Sequence, residues 1–176
     1  MEKEHIRIKI HNLYHEYNQD LFNYLFFMIG NREQAKDIVH DAFARAFEKY
    51  ESFNGDNPKS WLYRIARNLA IDHIRRKKPF RYYFDFIPVI PSNERGPEQI
   101  VMFNETERHL YKAMHRLKHS YREVIVLRKI KELSVLETSQ VLGWSENKVK
   151  VTLFRAMKEL KKELEKEGFA NEAELR

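Results

Sequence analysis

An all-α protein of two small helical domains on a flexible linker is the architecture this chain predicts, and three observations predict it. Apolar residues recur every three to four positions through most of the 176 residues, and the only hint of β-type alternation is the aromatic patch Phe80–Phe86. The five glycines (30, 55, 96, 143 and 168) fall between these periodic segments, where they end helices or make turns. Four of the five prolines (79, 88, 91 and 97) crowd into Pro79–Pro97, a stretch too broken for a helix. The chain is therefore expected to divide into a module over 1–78, a linker over 79–103, a second module over 104–168 and a tail over 169–176. A tether of about 25 residues lets the two modules sit tens of ångströms apart.

In the first module Ile6, Ile10, Leu13, Tyr17, Leu21, Leu25 and Met28 keep helical spacing, so a long helix runs to Gly30, with Asn18–Asp20 as the place where it could break. Asn31 is placed to cap the next helix, with Gln34 placed to reach back. Ile38, Val39, Ala42, Phe43, Ala46, Phe47 and Tyr50 form its buried stripe. The acids Glu33, Asp37 and Asp41 lie on one side of its first half, where the helix dipole favours them or a partner meets them. Gly55 then makes a turn, and Asn57-Pro58 sets a capping side chain before a proline at the first helical position.

The third helix, over 58–78, combines an apolar stripe (Trp61, Leu62, Ile65, Leu69, Ile71 and Ile74) with the cations Arg64, Arg67, Arg75, Arg76, Lys77 and Lys78. Tyr63 and Asn68 lie between them, and Asp72 is the one acid set against these cations. Cations interleaved with flat rings and an amide suit a single-stranded nucleic acid, through charge along the phosphates, stacking on bases and hydrogen bonds to base edges. An amphipathic helix with a solvated basic face is the competing reading of the same residues.

The second module opens with a helix over Glu105–Leu117. Ser120 and Glu123 have capping-box spacing before the apolar run VIVL, and Ser134 and Glu137 repeat it before a helix that stops at Gly143. Ser145 caps a last helix running to about Glu167. Two helices joined by Gly143-Trp144-Ser145 predict a helix-turn-helix, with Ser139, Leu142 and Val149 allowing a close crossing. The last helix would read DNA through Asn147, Lys148, Lys150, Val151, Phe154 and Arg155, while Leu153, Ala156, Met157 and Leu160 face inward. The alternative is a purely structural helix pair.

A net charge of +6 favours an anionic partner, nucleic acid or an acidic membrane surface. The longest apolar run, Leu25–Ile29, is far short of the roughly 20 residues that span a bilayer. The charged N-terminal residues lack the apolar core of a signal peptide, so a cytoplasmic protein is expected. With no cysteine, disulfides and thiolate metal sites are excluded. His11 and His15 stand one turn apart and could share a ligand face, which raises a helical metal-dependent hydrolase as a third reading. No third ligand stands at a diagnostic spacing, and neither a glycine-rich phosphate loop nor a GxSxG motif is present. No catalytic residue, metal or cofactor is expected.

The runs DIVHDAFARAFEKYESFNGDNPKSWLYRIARNLAIDHIRRKK and YREVIVLRKIKELSVLETSQVLGWSENKVKVTLFRAMKEL resemble the extracytoplasmic-function sigma factors of bacteria, and SWLYRIARNLAIDHIRR is their most specific part. The resemblance implies a promoter-specificity subunit of RNA polymerase without enzymatic activity of its own. It implies that the first module binds the clamp of the largest polymerase subunit through Asp37, His40, Asp41 and Phe43. Lys36 and His40 replace the acid and glutamine often found there. It further implies that a flipped base of the melted −10 strand is held by the loop before Trp61 and the start of its helix. Phe53 and Asn68 match the family's pocket positions, with Asn57, Lys59, Trp61, Tyr63, Arg64, Arg67, Arg75 and Arg76 around them. The second module would read the −35 duplex and touch the polymerase flap. Of the family's usual Thr-Val-Lys-Ser-Arg, Lys148–Thr152 keeps only Val149 and Lys150, which implies an altered −35 preference. Family membership also implies an anti-sigma partner, often membrane-anchored. A stand-alone helix-turn-helix regulator is the alternative of another class.

Overall fold

The computed structural model describes residues 2–77 and 104–168, with Lys77 described by its backbone alone. The linker and tail expected from the sequence, the Phe80–Phe86 patch and Lys78 lie outside the described residues. Everything regular among the described residues is helical.

Helix α1 spans Glu2–Ile29, α2 Arg32–Lys49 and α3 Pro58–Lys77, with a short helical turn at Tyr50–Ser52. Helix α1 is unbroken at Asn18–Asp20, because these residues bond within the helix: Asn18 Nδ2 donates to the Tyr14 carbonyl and Gln19 Nε2 to Asn23 Oδ1. Asn31 caps α2 by accepting from the Gln34 backbone N–H at 3.0 Å. The Gln34 side chain does not reach back; it pairs with His73 Nε2 of α3 at 3.0 Å, a tertiary bond replacing the local one. Asn57 caps α3 through the Ser60 N–H, with Pro58 at its first position and Gly55 at φ 86° before it.

Helix α4 spans Glu105–Arg116, and Asn104 with Glu107 forms its capping box. Helix α5 spans His119–Ile125 and passes into wider, π-type turns over Val126–Ile130, where Lys131 N–H donates to the carbonyl of Val126. The capping box expected at Ser120–Glu123 does not form. Lys118 stands at the cap, Ser120 is already inside the helix, and Glu123 is drawn into a bond with another part of the molecule. Helix α6, Val135–Leu142, has the expected box of Ser134 and Glu137. Helix α7, Glu146–Lys166, is capped by Ser145.

Helices α1, α2 and α3 pack on one another, while α4, α5 and α6 each pack on α7. The two groups are also in contact, chiefly where α3 lies along α6 and where α1 meets α5. Their buried apolar residues, from Leu13 to Leu164, form one continuous cluster. The linker would have allowed the modules to stand apart; the chain instead folds them together.

Gly143 ends α6 in the left-handed region at φ 68°, and a Cβ there would meet nothing within 4 Å. Gly143→Ala therefore tests backbone strain alone. It should lower stability by about 1 kcal/mol without altering the helix count, as read by urea unfolding and far-UV circular dichroism.

Candidate nucleic-acid interface

Helical geometry sorts the basic residues of α3 onto different faces. Arg64, Asn68, Arg75 and Arg76 are exposed, and Trp61, Arg64, Asn68 and Arg75 follow one another at three, four and seven positions along one side. At the top of this side Phe53 stacks on Trp61, with ring centroids 4.5 Å apart, and Tyr50 stands against both. A flat aromatic platform thus adjoins an amide and a row of guanidinium groups, the set of groups that stacks on a base and neutralises phosphates.

The other side of α3 is committed elsewhere. Tyr63 is completely buried against Tyr24 of α1, so it supports the helix and does not reach a nucleic acid. Arg67 donates through Nε to Glu123 Oε1 at 2.7 Å and through Nη2 to Glu123 Oε2 at 3.3 Å. Asn57 uses its oxygen as the α3 cap and donates from Nδ2 to Glu137 Oε1 at 3.4 Å. Lys59, half-buried, lies close enough to Glu137 to interact with its charge. Three of the ten residues expected at the −10 strand are thus turned toward the C-terminal helices and a fourth is in the core.

In α7 the six expected reading residues all face out. Asn147, Lys148, Lys150, Val151, Phe154 and Arg155 are exposed, Phe154 at 66%. Val149, Ala156 and Leu160 are buried beneath them. Lys148 Nζ sits 4.5 Å from the centroid of Trp144, and Lys158 Nζ lies over Phe154 at 5.4 Å. These cations are held over rings by cation–π attraction and still carry their charge on the surface. An apolar side chain as large as Phe154, exposed and ringed by Lys150, Arg155 and Lys158, suits contact with thymine methyls or sugar faces.

On α2, Asp37, His40 and Asp41 are exposed on one side, while Phe43 is buried under Tyr14 with centroids 5.0 Å apart. Phe43 therefore positions the α2 surface instead of lining it. His11 and His15 bring their Nε2 atoms to 3.1 Å, but no third metal-ligating side chain joins them among the described residues.

Residues 13–80 match the family described as Sigma-70 region 2, and residues 108–160 match Sigma-70, region 4. Together these cover more than half of the chain. The protein is 34% identical to the ECF RNA polymerase sigma factor SigX of Bacillus subtilis over 87% of this chain and 82% of that protein. The chain belongs to the extracytoplasmic-function sigma factors of the sigma-70 family. This sigma factor is also 36% identical to the RNA polymerase sigma factor YlaC of the same organism, over 91% of its own length and 94% of that relative. Among solved structures, RpoE of Bartonella quintana, in complex with the anti-sigma factor NepR, superimposes with a TM-score of 0.71 at 22% identity, covering 89% of this chain and 97% of that one. That likeness extends through both helical groups of the sigma factor and concerns the fold. No helix among the described residues is long and apolar enough to cross a membrane.

Sequence reasoning missed the acids that face α3. Glu123 was assigned to a local cap and Glu137 to a local box alone, although Glu137 serves both its box and Asn57. Burial pushes the Glu137 carboxyl up. Hydrogen bonds from Ser134 and Asn57 and the charge of Lys59 outweigh this and hold it below the ordinary glutamate value of 4.5. Its ionised form thus adds stability that is complete above that value and is lost as pH falls through the lowered one. Glu137→Gln keeps a box-forming side chain but removes the titration. Thermal unfolding between pH 6 and pH 3 should show a shallower loss of stability for the variant than for the parent, and parallel curves would contradict the assignment.

Proposed function

We propose that this protein confers promoter specificity on core RNA polymerase by reading a −35 duplex with α7 and holding a base of the melted −10 strand against α3. The observation that carries the reading is the coexistence, in one chain of this family, of two chemically different surfaces. One is the Phe53–Trp61 platform with Arg64, Asn68 and Arg75; the other is an exposed, rigidly capped helix bearing Asn147, Lys150, Phe154 and Arg155. A capped helix anchored by Val149, Ala156 and Leu160 is stiff enough to enter a major groove. An aromatic and amide surface can offset the few kcal/mol needed to unstack a base.

In this reading residues 1–78 bind polymerase and the −10 strand, 79–103 connect, and 104–168 bind the −35 element and the polymerase flap, with 169–176 as a tail. Asp37, His40 and Asp41 meet the clamp of the largest subunit, with Phe43 beneath them. The protein acts in the cytoplasm, has no catalytic centre of its own, and is restrained by an anti-sigma factor, as RpoE of B. quintana is bound by NepR in its crystals.

Run-off transcription with purified core polymerase tests the whole reading, since a free-standing DNA-binding regulator would not direct initiation. Asn68→Ala should reduce open-complex formation while leaving −35 duplex binding intact, as followed by permanganate footprinting. Arg155→Ala and Lys150→Ala should weaken duplex binding. The loss is about 1–3 kcal/mol where the side chain reads a base edge, and where it meets a phosphate the slope of affinity on salt falls by about one.

A further inference from the structure

The outer face of α1 carries a pair of imidazoles that the promoter-binding reading does not use. His11 and His15 stand one helical turn apart, so their side chains share a face, and both are exposed. Their Nε2 atoms come to 3.1 Å, and the rings meet edge to face with centroids 4.4 Å apart. A proton can bridge that gap, donated from the Nε2–H of one ring to the bare Nε2 of the other.

A divalent transition-metal ion fits the same gap. An ion about 2.0–2.1 Å from each nitrogen, the distance imidazole keeps from zinc, would see the 3.1 Å pair at an angle of about 95–102°. That lies between the right angle of square-planar coordination and the tetrahedral angle, the geometries that nitrogen ligands give to copper(II), nickel(II) and zinc. Both rings would then keep their proton on Nδ1 and turn the lone pair of Nε2 to the metal. The surroundings do not oppose a cation. Arg7, one turn before His11, lies 3.7 Å from Glu4, which answers its charge. Asn18 and Gln19 beyond His15 are neutral, and their amides bond to the Tyr14 carbonyl and to Asn23. No third His, Cys, Asp or Glu joins the pair among the described residues, so water would fill the remaining positions.

The pair also sits where α1 has least support. Of residues 2–16 only Ile6 and Leu13 are buried, whereas the second half buries Leu21, Tyr24, Leu25 and Met28. A tie between positions 11 and 15 closes a helical turn in the weaker half. That turn includes Tyr14, which packs on Phe43 of α2 with centroids 5.0 Å apart.

We propose that His11 and His15 form a binding site for one divalent transition-metal ion, copper(II) most tightly, and that the bound ion staples the first half of α1. Affinity should follow the order in which nitrogen sites take these ions, copper(II) above nickel(II) and zinc, with magnesium left in solution. Because the ion needs both rings on one closed turn, binding draws the helix toward its closed form by mass action. The site does not depend on the proposed roles of α3 and α7.

The test uses the full-length chain without a polyhistidine tag, with copper(II), nickel(II), zinc or magnesium alone as the probe. Isothermal titration gives affinity and stoichiometry, electron paramagnetic resonance of the copper(II) form counts the nitrogen ligands, and hydrogen exchange read by mass spectrometry follows the helices. The parent should bind one copper(II) ion per chain at its tightest site, through two imidazole nitrogens. Exchange should slow across the turns around His11 and His15 and stay unchanged in α3 and α7. His11→Gln and His15→Gln should each weaken binding by at least about tenfold, the least that loss of a ligand's outer partner costs. His15→Gln with Asn12→His keeps the number of histidines but sets the two rings on different faces, and should not restore binding. His5→Gln, nearer the amino terminus, should leave it unchanged. Every substituted side chain is exposed, so folding is not at risk, and circular dichroism checks it.

Equal copper(II) affinity in the parent, His11→Gln and His15→Gln overturns the proposal, and so does a copper(II) spectrum with a single nitrogen ligand. One ion per two chains, with dimerisation seen by sedimentation, overturns it too, because the ion would then be held between copies. Binding through both imidazoles without slower exchange in α1 would overturn the staple.

Discussion

A carboxylate removed from water at the meeting of two helical groups is the constraint from which the arrangement of this sigma factor follows. Glu123 is seated in α5 next to Val124, Ile125, Val126 and Leu127, all of them buried, so the packing of α5 leaves its side chain facing the N-terminal helices. Isolated there, the charge would be costly, and breaking such a buried pair by removing one partner typically costs about 3–5 kcal/mol. Three groups answer it: the Arg67 fork, the Tyr24 hydroxyl and, at longer range, His119. Arg67 in turn is desolvated by burial, and the Glu123 carboxylate more than compensates, raising its affinity for the proton. Desolvation, together with the nearby carboxylate, also pushes the Tyr24 hydroxyl well above the ordinary tyrosine range, so it remains a donor. Arg67 and Tyr24 therefore both remain donors to the Glu123 carboxylate.

The same bond explains why the two candidate nucleic-acid surfaces differ in readiness. Helix α7 is organised by its own neighbours. Ser145 caps it, Gly143 turns the chain into it, and Val149, Ala156 and Leu160 hold its inner face, so the outer residues are set without reference to α1–α3. Helix α3 faces two ways. Its Trp61–Asn68–Arg75 side is open, and its Asn57–Ser60–Arg67 side is shared with the C-terminal helices.

Much of this was legible in residue spacing, because caps, turns and apolar stripes are local. Asn31, Asn57, Ser134 and Ser145 each cap the helix expected of them, and Gly143 takes the left-handed turn expected of a helix-turn-helix. The failures share one cause. Gln34 and Glu123 both have the spacing of a reaching cap residue, and both are taken by a partner far along the chain, His73 and Arg67. Local pattern cannot rank a local bond against a distant one. Tyr63 failed differently: an aromatic ring suits both a core and a base stack, and only packing separates the two, whereas Phe43 is buried as its place in the α2 stripe requires. A signal for Arg67 was present, since it follows Tyr63 and Ala66 and precedes Ala70 on the buried side of α3. A cation on an apolar stripe requires an acid opposite, and the acid in the EVIVL run is the one most in need of a cation.

The two groups meet through a polar centre at Glu123 and a continuous apolar cluster, and they are covalently connected. Residues 78–103 convert association into an intramolecular event, and a connection of that length supplies an effective concentration on the order of millimolar. The contact then forms within one molecule, whatever the protein concentration. The converse follows from the same quantity. A partner that holds both groups in another arrangement, as promoter DNA with polymerase would, must supply the free energy of parting them. Parting the two groups exposes part of the shared apolar cluster as well as the polar groups around Glu123. The bonds at Glu123 thus fix the closed arrangement, and their polar groups are the part of the contact that water can repay on parting.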